Sequence, residues 1–250
     1  MTDKNRNRAL QEVEHGRKLA AGRPEMFWGW GSKAGQLRAK RRAALIAEGA
    51  GLKAGMNVLE IGCGTGIFTR MFADTGACIC AVDISKELLD IAKQMDFPRG
   101  RVRFLDQRFE DYPGDNLFDA VVGSSVLHHL DMDKAVPRIH ALLKPKGVLS
   151  FAEPNMMNPQ IAFQKNIPCL KRMLGDSPEE TAFIRWKLAR FLDEYGFVDI
   201  KIIPFDWLHP RVPSFLTGAI SLSGTILEKC PLIKEFSGSL YIRAKKAPTK

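Results

Sequence analysis

The stretch Asn57–Ser85, NVLEIGCGTGIFTRMFADTGACICAVDIS, constrains this chain more than any other. Val58, Leu59 and Ile61 form the short apolar run of a strand buried on both faces. Gly62, Gly64 and Gly66 follow at alternate positions, with Cys63 and Thr65 between them. Glycine reaches positive φ without a Cβ clash, so the chain can turn sharply and lie close against a ligand. Ile67, Phe68, Met71 and Phe72 then repeat at helical spacing, and Cys78, Ile79, Ala81 and Val82 make a second apolar run that ends in Asp83. Strand, glycine turn, helix and strand in this order predict a βαβ unit of an open α/β sheet, with a ligand expected at the turn.

The glycine spacing selects among ligands. Dinucleotide sites prefer G-x-G-x-x-G, whose last glycine lies against the helix beside a pyrophosphate; here Ile67 occupies that slot. Glu60 stands just before the turn, and a carboxylate there suits a cationic amino-acid ligand better than a pyrophosphate. Asp83 follows the glycines by about twenty residues, where an acid at the tip of the second strand meets a ribose. The pattern E-x-G-x-G-x-G, with an acid closing the next strand, resembles motifs I and II of the class I S-adenosylmethionine-dependent methyltransferases. Farther on, FDAVVGSSVLHHL…LLKPKGVLSFAEPN closely resembles motifs IV to VI of the small-molecule, type 11 branch of that family. Together the matches span about Lys53–Pro154.

The resemblance implies an α/β fold: a doubly wound, seven-stranded, Rossmann-like methyltransferase sheet with an antiparallel last strand. It implies S-adenosyl-L-methionine as cofactor and S-adenosyl-L-homocysteine as product. Carried onto this sequence, the cofactor-binding residues are Glu60, Gly62, Gly64 and Gly66, then Asp83 and Ile84, then Gln107, Arg108 and Phe109 at the tip of the third strand, and Ser124 after the fourth. The family's usual acid–small–acid run at the third tip is interrupted by Arg108 and Phe109; Gln107 is a candidate to hydrogen-bond the base and Phe109 to stack on it. His128 and His129 are candidate general bases, since imidazole titrates near neutrality. Adjacent residues on a helix point about 100° apart, so one of them is expected to face the cleft, and the resemblance favours His129. Glu153, at a strand end, is a candidate to hold a substrate amine or hydroxyl. His128, His129, Asp131 and Asp133 could be drawn as a metal cluster, but the aspartates read as helix caps and no metal is expected.

Around this core, residues 1–52 form a basic leading segment, 53–154 the cofactor-binding core, and 155–250 the second half of the sheet with two surplus stretches, 155–178 and 205–236. Residues 1–24 are polar and read as frayed or loosely helical. EMFWGWG then places Phe27, Trp28 and Trp30 together in a glycine-flanked loop. The resemblance suggests a lid over cofactor or substrate, with Trp28 and Trp30 on it. A helix over Gln36–Glu48 crowds Arg38, Lys40, Arg41 and Arg42 into its first half, where its dipole disfavours cations; the cluster is either tolerated or kept for an anion. A helix is expected over Lys86–Met95 behind Ser85, tight turns at Pro113–Asn116 and Lys144–Gly147, a sixth strand over Asp199–Ile203 and a seventh over Gly238–Lys245. The sixth and seventh strands are usually joined by a short hairpin; the largely apolar insert 205–236 separates them here.

Charge and composition narrow the function classes. Net charge is +9, and residues 1–55 supply seven of those charges with 12 Lys or Arg against 5 Asp or Glu. Such a segment attracts anionic partners or is simply a solvated face. There is no apolar run of about eighteen residues, so no transmembrane segment is expected. The five cysteines are scattered without C-x-x-C spacing, which indicates neither zinc nor a disulfide framework and suits a cytoplasmic protein. The leading reading is methyl transfer by in-line displacement to a small or lipid-like molecule, for which the basic start makes an anionic acceptor one candidate; the insert either caps the pocket or makes peripheral membrane contact. The alternative is an RNA or DNA methyltransferase. No [DN]-P-P-[YF] string or Pro-Cys pair follows the fourth strand, and no separate nucleic-acid module is visible, so nucleic acid is not the expected partner. A cofactor-binding, non-catalytic subunit is the third reading.

Overall fold

The structure is a computed structural model, and it describes residues 3–114, 117–167, 169, 171 and 181–248. Helices α1 (Asp3–Ala20), α2 (Pro24–Phe27) and α3 (Lys33–Ala50) precede β1 (Asn57–Ile61), α4 (Ile67–Ala73), β2 (Cys78–Asp83), α5 (Lys86–Ala92) and β3 (Val102–Asp106). Then come β4 (Phe118–Ser124), α6 (Met132–Leu142), β5 (Leu143–Pro154) and α7 (Pro159–Asn166). The chain ends through α8 (Arg185–Glu194), β6 (Phe197–Phe205), α9 (Thr217–Leu227) and β7 (Ser239–Lys246). The strands form one sheet in the order β3-β2-β1-β4-β5-β7-β6. All neighbours are parallel except β7, which runs antiparallel to both β5 and β6. The expected seven-stranded α/β sheet is therefore the fold.

Period-two alternation sorts the strand residues between two apolar layers. Val58, Ile79, Ala81, Ala120 and Val122 pack toward α3 and α4, which contribute Ala39, Ala43, Ile46, Phe68 and Phe72. Leu59, Ile61, Val82 and Val121 pack on the other face against Val136, Ile139 and Leu142 of α6 and Leu188 and Leu192 of α8. Strand order reverses between β1 and β4, and this switch point is where open α/β sheets place ligands.

Several boundaries differ from the sequence expectation. The leading segment is not loosely helical: α1 is an 18-residue helix. Helix α3 begins three residues early, with Ser32 accepting the Gly35 N–H at 3.0 Å, and runs through Gly49, against which Tyr241 packs, to a left-handed Gly51. Helix α5 stops at Ala92 rather than Met95. The expected Lys144–Gly147 turn is an irregularity inside β5: β4 pairs Phe118 with Leu143, then Ala120 with Val148, and Lys146 sits at φ 65°. Of the two other expected features, residues 115 and 116 of the Pro113 turn, and 168, 170 and 172–178 of the first surplus stretch, lie outside the described residues.

Candidate active site

A cavity of about 340 Å³ opens beyond the C-terminal ends of β1, β2, β3 and β4. Its floor is the glycine turn. Gly62 holds φ 68° and Gly64 φ 52°. A Cβ on Gly62 would lie 2.4 Å from Val126 Cγ2, and one on Gly64 would lie 3.2 Å from the Trp28 ring. Glycine is thus required at Gly62 twice over, by backbone conformation and by close approach. Asp83 fastens the turn: Gly64 N–H donates to Oδ2 at 2.7 Å and Ser85 N–H to Oδ1 at 2.9 Å. Burial pushes the Asp83 carboxyl above its ordinary value, and those two N–H groups pull the other way.

Most of the expected site residues stand on this one wall. Gly62, Gly64, Asp83, Ile84, Gln107, Arg108, Phe109 and Ser124 line the cavity, as do Trp28, Trp30, His128 and His129. The buried Gln107 Nε2 has no hydrogen-bond partner among the described residues. A ligand with an acceptor nitrogen or oxygen would satisfy it, as an adenine does. Three expected residues stand elsewhere. Glu60 shares the strand face of Val58 rather than that of Ile61, so it is buried behind the turn; burial pushes its carboxyl up to about 8. Gly66 caps α4 and turns its Cα toward Ala92 and Phe97, away from the cavity. Glu153 is fully buried with both oxygens engaged, which corrects its assignment as a substrate holder. Its Oε1 accepts the Val126 and Leu127 N–H groups at 2.9 Å each, and its Oε2 meets His128 Nδ1 at 2.6 Å. Burial raises the Glu153 carboxyl, but the His128 bond and the two N–H donors outweigh it, leaving the group below its ordinary value.

The two histidines also depart from expectation. They lie in a 3-10 turn, Leu127–His129, and their rings stack with centroids 4.1 Å apart, so both reach the wall as a unit. His128 is backed by Glu153 from β5; His129 Nδ1 lies 3.3 Å from Glu12 Oε1 of α1. Asp131 takes the N-cap position of α6 without a side-chain cap bond; its carboxylate pairs with Lys134 at 3.0 Å and reaches the cavity. Among the described residues, no three His, Cys, Asp or Glu side chains are grouped to hold a metal ion.

Helix α1 forms the roof, and its contribution escaped the sequence reading. Glu12, His15, Gly16 and Leu19 line the cavity at spacings of three, one and three, the stripe of a helix face. Gly16 lets α1 settle onto Ser85, whose Oγ would sit 2.5 Å from an added Cβ. That stripe was the available signal, hidden by polar composition.

The three arginines of the basic cluster on α3 fasten the fold, while Lys40 is exposed. Arg38 pairs with Asp206 at 2.8 Å, and Arg41 grips Glu228 with bonds of 2.8 and 2.5 Å. Arg42 is buried beneath the cavity wall; its Nη1 donates to Ser125 Oγ at 2.9 Å and Ala152 O at 3.0 Å, and its Nη2 donates to Ser239 Oγ. Ser125, held this way, sits at φ 56°, a left-handed conformation uncommon outside glycine. Burial lowers the Arg42 pKa to about 10, which leaves it charged at neutral pH.

Residues 59–151 match a family model described as "Methyltransferase domain". The malonyl-[acyl-carrier protein] O-methyltransferase of Halalkalibacterium halodurans is 33% identical over 102 residues, covering 38% of this chain and 38% of that protein. The ubiquinone biosynthesis O-methyltransferase of Vibrio vulnificus is 31% identical over 105 residues, covering 40% and 45%. The chain thus spans less than half the length of these curated relatives. Among solved structures, the N-methyltransferase NodS from Bradyrhizobium japonicum, in complex with S-adenosyl-L-homocysteine, superposes with a TM-score of 0.62 at 17% identity, covering 94% of this chain and 98% of that one. Residues 59–151, which carry the glycine turn and the reversal at β1/β4, are thus similar to the methyltransferase domain family over that part of the chain.

Proposed function

We propose that the chain is an S-adenosylmethionine-dependent methyltransferase that acts on a small or lipid-like molecule and yields S-adenosyl-L-homocysteine. The observation that carries this reading is the positive-φ turn at Gly62–Gly64, tied to Asp83, on the same cavity as a Gln107 Nε2 that has no partner among the described residues. Such a floor lets a ligand lie against backbone N–H groups, with a carboxylate for ribose hydroxyls and an amide and Phe109 for a base. The named activities of the similar proteins support the same class. When bound, the cofactor supplies an electrophilic methyl group on a sulfonium sulfur.

The chain's own residues then have to position an acceptor, exclude water and manage a proton. Leu19 and Trp28 line the cavity on the α1–α2 side, where they would help exclude water. His129 is the candidate base. With Nδ1 turned to Glu12, the ring favours the tautomer that leaves Nε2 to accept the acceptor's proton. Glu153 fixes the His128 ring on which His129 stacks. The nucleic-acid reading, argued from basicity, loses three of the leading segment's cations, because Arg38, Arg41 and Arg42 are committed to internal partners.

Calorimetry tests the reading. S-adenosylmethionine and its demethylated product should bind the intact chain, and Asp83→Ala should weaken both by about tenfold or more. His129→Ala should keep that affinity while cutting methyl transfer across a panel of phenol, amine and lipid acceptors. A nicotinamide nucleotide binding in place of either sulfur compound would overturn the proposal. A fully active His129→Ala variant would remove the base assignment alone.

A further inference from the structure

We infer that the outer face of the 205–236 segment docks on the surface of an anionic lipid bilayer. Helix α9 is inverted relative to an ordinary surface helix, whose apolar stripe faces the core. Its buried residues are Thr217 and Gly224, the latter pressed against Trp207. Its outward stripe, at spacings of three and four, is Ala219, Leu222 and Ile226, and Phe215 just ahead of the helix continues it. Leu222 is 67% exposed; Phe215 and Leu232 are each 82% exposed. Apolar groups concentrated in this way mark a docking surface.

The charges say what docks. The segment contains three acids, Asp206, Glu228 and Glu235. Each is turned inward to an arginine of the body: Arg38, Arg41 and Arg185, at 2.8, 2.5 and 2.7 Å. The segment's cations, Arg211, Lys229 and Lys234, have no carboxylate within ion-pair distance among the described residues. Of the segment's own charges, only the cations are left unpaired to accompany its exposed apolar side chains, the pattern of interfacial lipid binding. A second copy of this chain meeting the same face would set cation against cation.

The face is also joined to the cavity roof. Ser32 Oγ donates to Pro210 O at 2.7 Å, Gly29 packs on Pro210, and Arg38 lies over the Trp30 ring at 5.3 Å. Docking would bring the Trp28–Trp30 segment close to the lipid phase. Bilayer binding stands apart from methyl transfer, and either can fail alone.

Vesicle flotation with the full chain tests the inference. The chain should float with vesicles of phosphatidylcholine mixed with phosphatidylglycerol, much less with phosphatidylcholine alone, and less as salt rises. Leu222→Ser with Ile226→Ser should reduce the bound fraction about tenfold or more. Lys229→Gln with Lys234→Gln should do so by a similar factor. Both variants should keep the intact chain's far-UV spectrum and cofactor affinity. The inference is overturned by absence of binding to the mixed vesicles, or by binding that both variants retain. It is equally overturned if the intact chain is a dimer that the Leu222/Ile226 variant dissociates, since a second copy then covers the face.

Discussion

Around the glycine turn, polar atoms are turned inward: among the described residues, neither the buried Glu60 Oε2 nor the Gln107 Nε2 at the cavity has a hydrogen-bond partner. In the 205–236 segment, apolar atoms are turned outward, Leu222 and Phe215 among them. Elsewhere most apolar side chains lie inside and most buried polar groups are paired, although Phe163 and Trp186 are exposed and Arg42 Nε and Arg138 Nε are buried without a partner among the described residues. A buried donor left without a partner costs about 1–3 kcal/mol, and exposed apolar surface forgoes about 25 cal/mol per Å². Both regions therefore hold back stability from the isolated chain. On the proposals above, a ligand completes the first and a lipid surface the second.

The largest effect belongs to the turn. Gly62→Val combines a positive φ with a clash against Val126, and should lower stability by roughly 4 kcal/mol or more and abolish cofactor binding. Gly51→Ala is the matched control, because Gly51 holds φ 65° with nothing within 4 Å of an added Cβ. It should cost about 1–2 kcal/mol and leave binding intact. Thermal unfolding and calorimetry on both variants read the difference. Equal losses would mean that conformation alone, and not close approach, makes the turn special.

Glu60 gives the next largest effect, and it depends on pH. Its carboxyl titrates near 4.5 when exposed and is pushed up to about 8 by burial in the folded chain. Between those values the folded state holds a proton that the unfolded state has released. The Glu60 contribution is therefore whole below about 4.5 and drains away as pH rises toward 8, at about 1.4 kcal/mol per pH unit. Glu60→Gln removes that proton from the balance. The variant's advantage over the parent should grow across this window and level off above it. A constant difference in denaturant midpoint from pH 5 to about 8.5 would mean that Glu60 is ionised in the fold.

How far these regions could be read beforehand follows from the same physics. The strands β1, β2 and β4 announce themselves because a strand buried on both faces has nearly uniform apolar sequence, and the Gly62–Gly66 spacing names a turn that few other sequences serve. The cavity wall from Asp83 to Phe109 follows from that topology. Three things were not legible. The stripe Glu12, His15, Gly16, Leu19 is mostly polar, so it reads as solvent-facing until α5 is placed beneath it. The partners of Arg38, Arg41 and Arg42 lie about 80 to 200 positions away, beyond any local pattern. Glu153 reads as a strand-end acid, and only the fold brings the Val126 and Leu127 N–H groups and His128 to it.

The smallest expected effect is the sharpest test of the comparison, since it lies within one segment. Leu208 and Leu222 are both leucines of the 205–236 insert, the first 7% exposed. Leu208→Ala should cost about 2–5 kcal/mol, the range for emptying a packed site. Leu222→Ala, on the outward stripe of α9, should change stability by no more than about 0.5 kcal/mol, because no packing is lost and alanine favours the helix. Denaturant unfolding of the two variants, in buffer without lipid, separates them. If Leu222→Ala loses as much as Leu208→Ala, the outward face is already covered in the free chain, and the contrast between a region awaiting a ligand and a region awaiting a surface disappears. If it loses nothing in buffer yet loses vesicle binding, the leucine contributes only when the segment meets lipid, which is what an apolar stripe held outward by Thr217 and Gly224 is built to do.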